Sequence, residues 1–399
     1  MLKDASDARP APADDDTYLE RARALLPLLK EAAAEIEATR ELPARVLAAM
    51  HEAALFRPSL PGFLGGAELA PPRLAQVTEA IATADASTAW CLGQAYGCAM
   101  SAAFLDEAAA ARVFGPADAV LAWGAGAQGT AVATDGGYRI TGTWRFASGG
   151  KHATWIGAHC KVMEADGTPR RYPDGRQALR TALFPRADVQ ILDDWYVMGL
   201  KGTRSEGYTI EDRFVEEALT LDRETYAECR SDAPLYKFPT TNVYAGCFSG
   251  VAMGIARAAL DDVAALAYDK TPRAARSSLR ESPLFQTRLA ELEAELAAAR
   301  AYQQQVLWQA WDTAQAAPEL ETADRAPIRL ATTHAINRAT AIVEQVYRLA
   351  GSTALMEGQP FERRFRDMHA VSQQMQARQT NFENVGRFML GLEISPTAF

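Results

Sequence analysis

The segment Gly124-Ala125-Gly126-Ala127-Gln128-Gly129 has the G-x-G-x-x-G spacing that can cradle a nucleotide pyrophosphate. That chemistry needs a strand before the glycines and a helix opening directly after them, so that its N-terminus faces the phosphates. Here Ala131-Val132-Ala133-Thr134 runs instead into Asp135-Gly136-Gly137, a tight turn between strands. The segment therefore predicts a glycine-rich bend rather than a Rossmann site. Such a bend can still bring backbone amides against a flat cofactor, because glycine has no Cβ. The five cysteines (Cys91, Cys98, Cys160, Cys229, Cys247) contain no C-x-x-C pair, and their odd number argues against a disulfide framework. The five histidines (His51, His152, His159, His334, His369) form no H-E-x-x-H cluster, so no metal site is expected.

The elements that must position any chemistry follow from composition and periodicity. The chain has 399 residues, 48% of them hydrophobic and 23% charged, enough for two or three globular domains. Its net charge of -9 supplies no global field for phosphates and excludes a sequence-independent nucleic-acid binder. No stretch is expected to approach the roughly 20 apolar residues of a membrane helix. The N-terminus stays polar through Asp16, without a secretory signal, so a cytoplasmic protein is expected. Residues 1–16 read as a disordered tail. From Thr17 to about Arg112, Ala, Leu, Glu and Arg predict helices, broken at Leu42-Pro43 and between Pro58 and Gly66. From Val120 to Leu221 strands dominate. Tyr138, Ile140, Gly142, Trp144 and Phe146 alternate with Arg139, Thr141, Thr143 and Arg145, the period of a half-buried strand. Turns at Asp166-Gly167-Thr168-Pro169 and Pro173-Asp174-Gly175 suggest an antiparallel barrel or sandwich. After Pro239 helices return. Phe285, Leu289, Leu292 and Leu296 mark one apolar face, and Ile342, Val346 and Leu349 another.

Three motifs in this order carry a resemblance. They are Trp144-Arg145-Phe146-Ala147-Ser148-Gly149-Gly150 with Trp155 behind it, Trp195-Tyr196-Val197-Met198-Gly199-Leu200-Lys201-Gly202-Thr203-Arg204-Ser205, and Ala350-Gly351-Ser352 followed by Glu362-Arg363-Arg364-Phe365-Arg366-Asp367. With them the chain, from about residue 17 to 399, resembles the acyl-CoA dehydrogenase fold. The Phe-Ala-Ser-Gly and Gly-Leu-Lys-Gly-Thr-Arg-Ser versions look most like its two-component flavin-dependent monooxygenase branch. The resemblance implies an α+β architecture: an N-terminal helical domain at 17–119, a middle antiparallel β-barrel or sandwich at 120–232, and a C-terminal four-helix bundle at 233–399. It also implies O2, reduced flavin (FAD in preference to FMN) from a separate NAD(P)H-flavin reductase, and a homotetramer built as a dimer of dimers.

The resemblance places the loop Trp123 to Thr130, with Gly124 and Gly129, along the flavin. It places Phe146, Ala147 and Ser148 at the reactive edge of the ring. A serine there can hydrogen-bond the flavin nitrogen or a peroxide, although a hydroxyl satisfying a nearby backbone group is the ordinary alternative. Trp144 and Trp155 are expected to pack. Arg273 or Arg276 matches an arginine that meets the flavin phosphate of a neighbouring subunit, or is a solvated loop residue. Gly351 matches a glycine near the cofactor, or is a plain helix C-cap. Arg366 and Asp367 match a structural pair.

The departures from the family point to the substrate. At the position of the dehydrogenase glutamate stands Met375, with Gln373, Gln374 and Gln376 around it. None of these groups can act as a general base, which disfavours acyl-CoA desaturation unless a carboxylate from another helix substitutes. Phenol hydroxylases of the branch carry histidines at positions that fall on Gln374 and Cys98. His369, one helical turn before Gln374, either reaches the site or packs. A phenol needs deprotonation before electrophilic oxygenation, whereas an indole, amine or thioether does not. The expectation is a monooxygenase that works through a flavin hydroperoxide on a small indole-like heteroaromatic. Ser148, Gln374 and His369 are its catalytic candidates, and Cys98 and Gln374 its substrate contacts. An acyl-thioester dehydrogenase with a displaced base, an amine N-oxygenase and a ligand-binding scaffold of the same fold are the alternatives.

Overall fold

The computed structural model describes residues 17–273, 275–395 and 398–399. The tail expected at 1–16 lies outside them. Five helices come first: α1 (Thr17–Thr39), α2 (Ala44–Glu52), α3 (Pro71–Ala82), α4 (Ala86–Ala99) and α5 (Glu107–Phe114). Their boundaries follow local chemistry. Pro43 and Pro71 stand at the starts of α2 and α3, where a missing N–H costs nothing. Asp85 caps α4 by accepting the Thr88 N–H at 2.7 Å.

Eight strands follow: β1 (Leu121–Trp123), β2 (Gly129–Thr134), β3 (Gly137–Trp144), β4 (Trp155–Met163), β5 (Leu179–Pro185), β6 (Gln190–Ile191), β7 (Tyr208–Glu216) and β8 (Thr220–Leu221). They form one sheet in the order β6-β7-β3-β2-β4-β5-β8, with β1 added beside β4. The sheet is mixed, which corrects the antiparallel expectation: β1 and β2 both run parallel to β4. The tight turn at Asp135–Gly136 makes β2–β3 a hairpin. The segment 145–154 then crosses back before β4 begins, so β4 can lie alongside β2 in the same direction. Tyr138, Ile140 and Trp144 point into the core as their alternation predicts. Phe146 does not. It lies beyond the strand with a left-handed φ of 64° and is 60% exposed.

The chain ends in α6 (Thr240–Asp269), α7 (Pro283–Ala316), α8 (Thr322–Ala350), α9 (Pro360–Ser372) and α10 (Gln379–Met389). The expected four-helix bundle is α6 to α9; α10 is a fifth helix that packs on α8. α6 also corrects the expectation that no stretch is apolar enough for a membrane. A window within it has a mean hydropathy of 1.4, yet 89% of that window is buried inside the protein. The reason is its place: α6 packs on α3 and α4 as well as on α7, α8 and α9. The first and last helices thus form one body, into which the sheet is inserted.

Candidate functional site

The site is built around Ser148, which is buried in the segment between β3 and β4. Its Oγ accepts the Trp90 Nε1–H at 3.0 Å and lies 2.7 Å from Ser205 Oγ. Ser205 Oγ lies 2.7 Å from Thr203 Oγ1, which donates to the Leu200 carbonyl at 2.8 Å. A hydroxyl has one proton. Thr203 gives its proton to Leu200, so Ser205 must donate to Thr203 and Ser148 to Ser205. The chain of donations runs Trp90, Ser148, Ser205, Thr203, Leu200 carbonyl. It leaves Ser148 a free lone pair and no free proton, so Ser148 can accept one more N–H.

This polarity explains why two distant motifs converge. The Gly199–Ser205 segment holds Leu200 and Arg204 at left-handed φ values of 52° and 43°, strained for side chains with a Cβ. α9 holds the strain in place: Asp367 Oδ1 accepts the Leu200 N–H at 2.6 Å, and Arg366 donates to the Met198 carbonyl. A Cβ on Gly199 would stand 2.1 Å from the Arg366 carbonyl, so this approach requires glycine. Burial lifts the Asp367 carboxyl to about 6, against the pull of Arg363. The buried acids here are structural. Asp85 caps α4 and meets Arg363, Glu206 is held by Arg204 at 2.8 Å, and Asp367 holds the loop.

Beyond Ser148 the site is aromatic. The Trp90 ring stacks on Phe248 at 4.0 Å and 10°, and Phe248 stacks on Tyr244 at 5.3 Å and 6°. Gln94 Nε2 donates to Tyr244 Oη at 3.0 Å, and Cys98 Sγ lies 3.6 Å from that oxygen. Ser148 and Cys98 therefore stand at opposite ends of one aromatic slab. Burial pushes the Cys98 thiol up to about 12, so it stays neutral and poorly nucleophilic. Sequence reasoning missed Trp90, Phe248 and Tyr244, and named Thr203 and Ser205 only as motif residues, without their role beside Ser148. A usable signal was Gly93 and Gly97, four apart on α4, which let α6 approach closely enough to stack.

The other expected residues divide into two groups. Trp123 packs edge-on against His159 at 4.8 Å, and the Gly124 N–H donates to Tyr208 Oη at 3.1 Å. The bend between β1 and β2 exposes Ala125, Gly126 and Gln128, while Gly129 is buried and Thr130 half-buried. Ala147 is buried, and Trp144 and Trp155 pack in the core. Gln374 accepts the Gln376 N–H at 2.6 Å and so caps the turn 375–377. That turn meets the first turn of α6, where Gln376 Nε2 donates to the Thr241 carbonyl at 3.2 Å. His369 is not brought to Ser148. Its ring packs on Phe365 at 4.1 Å, with Nε2 3.9 Å from Glu344 on α8. Gly351 ends α8 at a φ of 55°, beside Lys270, which donates to the Ala350 carbonyl and to Thr353 Oγ1. Arg273 and Arg276 are exposed in the loop after α6.

A flat tricyclic cofactor needs an apolar wall and a hydrogen-bonding group at its edge. Phe146, two residues before the accepting Ser148, presents an exposed ring edge-on to Trp195 at 6.2 Å. Tyr196 and Met198 extend the exposed apolar surface. These residues fit a flavin.

Comparison with known proteins agrees. Residues 20–116 match the acyl-CoA dehydrogenase N-terminal domain and residues 246–379 its C-terminal domain. Indole-3-acetate monooxygenase of Pseudomonas putida is 28% identical over 91% of this chain and 90% of its own. The oxygenase subunit HsaA of Rhodococcus jostii, a flavin-dependent monooxygenase, is 29% identical over 88% of this chain and 92% of its own. XiaF of a Streptomyces species, solved with FADH2 and glycerol, superposes with a TM-score of 0.88 at 25% identity, over 96% of this chain and 97% of its own. The chain belongs to the acyl-CoA dehydrogenase fold family, among homologues that are two-component flavin-dependent monooxygenases. It is the oxygenase component of such a system, and a separate reductase supplies its reduced flavin.

Proposed function

We propose that this oxygenase inserts one oxygen atom into an indole-like heteroaromatic ring, with FAD as its flavin. The observation that carries the reading is the slab Trp90–Phe248–Tyr244, which ends at a neutral thiol whose side-chain partners among the described residues are Gln94 and Tyr244, with no carboxylate or imidazole. Stacking binds a flat ring without deprotonating it. Bound reduced flavin supplies the two electrons that leave one oxygen of O2 in the product and the other in water. The protein's own groups do the rest. Phe146 and Ser148 hold the ring edge, and Ser148 accepts an N–H there. The stacked aromatics bind substrate and exclude water. The Gln374 amide nitrogen, which has no protein partner among the described residues, orients the substrate. His369 fixes α9 against α8. The P. putida relative acts on an indole, and XiaF was solved with FADH2, which supports both choices. A cytoplasmic homotetramer, with Arg273 reaching a neighbour's flavin phosphate and Gly351 beside the cofactor, completes the reading.

Stopped-flow absorbance tests it. Protein loaded anaerobically with reduced FAD is mixed with oxygenated buffer. A transient before the oxidised flavin spectrum is expected, and indoles should hasten its decay more than phenols do. Fastest decay with simple phenols, together with an unchanged Gln374→Ala variant, would overturn the substrate reading.

A further inference from the structure

We infer that Arg223 reads a carboxylate carried by the aromatic substrate, which makes an acid-bearing ring the preferred class. The inference rests on the indole-like reading above and deepens it.

Arg223 follows β8 and lies 4.6 Å over the Trp123 ring. Its Nε donates to Thr181 Oγ1 at 3.3 Å, and its Nη2 donates to His159 Nε2 at 3.2 Å. His159 is buried, and burial together with the Arg223 charge holds its pKa well below the usual value. It is therefore neutral, with Nδ1–H donating to Thr181 Oγ1 at 2.7 Å. All three partners of the guanidinium are uncharged, and no acid lies within ion-pair distance among the described residues. Its neighbour Arg180, by contrast, pairs with Glu228 at 2.9 Å. Glu224 borders the same space but is exposed to solvent.

Arg223 faces a cavity of about 150 Å³ shared with Gly126, Ala127, His159 and Thr181. That volume takes a carboxylate arm, or at most a single benzene-sized ring, and is too small for an indole with its side chain. The charge of Arg223 also acts on Cys98 and Tyr244, the end of the aromatic slab far from Ser148. In the proposed pose the reacting edge lies near Ser148 and the arm runs past Trp123 toward this cavity. A guanidinium held by neutral partners in a half-closed space is poorly compensated, and a carboxylate matches its planar fork. A flavin phosphate offers the same anionic chemistry, because Gly126 and Ala127 line the cavity.

The test titrates the reduced-flavin-loaded protein anaerobically with indole-3-acetate and with its neutral isostere indole-3-acetamide. Reduced FMN and reduced riboflavin are titrated separately. Wild type should prefer the acid. Arg223→Gln should weaken acid binding roughly 10- to 100-fold and leave the amide and both flavins unchanged. Arg223→Lys should restore part of the loss, and the turnover defect should lie in KM rather than kcat. Equal weakening of acid and amide would reduce Arg223 to packing and overturn the inference. Weakening of FMN but not riboflavin would assign the anion to the flavin and overturn it too. Equal wild-type affinity for acid and amide would overturn it while oxygen transfer to neutral indoles stood. Acid preference without any oxygen transfer would keep Arg223 and sink the indole reading instead.

Discussion

The polarity of the hydroxyl chain makes Ser148 an acceptor. Reduced flavin carries an N–H at the ring position where oxidised flavin carries a bare nitrogen, so an accepting serine favours the reduced form. Ser205→Ala should free the Ser148 proton to point outward. The ratio of oxidised to reduced flavin affinity should then rise about fivefold, the worth of one ordinary hydrogen bond. Paired anaerobic and aerobic titrations read that ratio, and an unchanged ratio would contradict the deduced direction of donation. Ser148 itself was legible in the sequence because its motif is local. Its partners were not: Trp90 is 58 residues away and Ser205 is 57. The role expected of His369 depended on which face of α9 looks inward, and one turn of helix turned its ring toward α8 instead.

Between α4 and α6, the closest constraint is Gly97. A Cβ there would stand 2.3 Å from the Tyr244 ring, so α4 and α6 cannot keep their spacing around an alanine. Gly97→Ala gains about 1 kcal/mol of helix propensity but incurs roughly 1–3 kcal/mol of overpacking. The expected outcome is a lower thermal midpoint and a raised KM for the aromatic substrate, with flavin affinity kept. A variant more stable than wild type would show that the slab yields easily. The helices were readable from propensity and breakers, and β3 from its alternation. The parallel pairing of β2 with β4 was not, because strand direction depends on where a crossover returns. Nor was the exposure of Phe146, whose left-handed φ breaks the period that its sequence continues. The apolarity of α6 escaped notice because glycines, serine and asparagine interrupt its run.

Across the molecule, the interior holds its imidazoles neutral where helices and sheet meet. His152, with its Nε2 buried and Phe56 5.9 Å away, is pushed by burial, His51 and Arg186 to about 4, below its ordinary 6.5. A histidine whose folded pKa is depressed contributes stability that is present above the unfolded value and is lost as pH falls through the folded one. His152 should therefore cost roughly 3 kcal/mol of stability between pH 6.5 and 4. Urea midpoints at pH 7 and pH 4.5 should converge in His152→Gln, and an equal acid loss in the variant would exclude this residue as the cause.

The packing of α3 on α6 has a consequence for synthesis. α3 buries Leu74, Val77 and Ile81, and the entire sheet separates it in the chain from α6, on which it packs. On the ribosome, α3 emerges well before that partner exists. α1 and α4 can cover part of α3 early, but the face that meets α6 stays uncovered while every strand is translated, and the same holds for the Trp90 face of α4. The nascent chain therefore carries one of the three stacked rings without its partners until α6 is made.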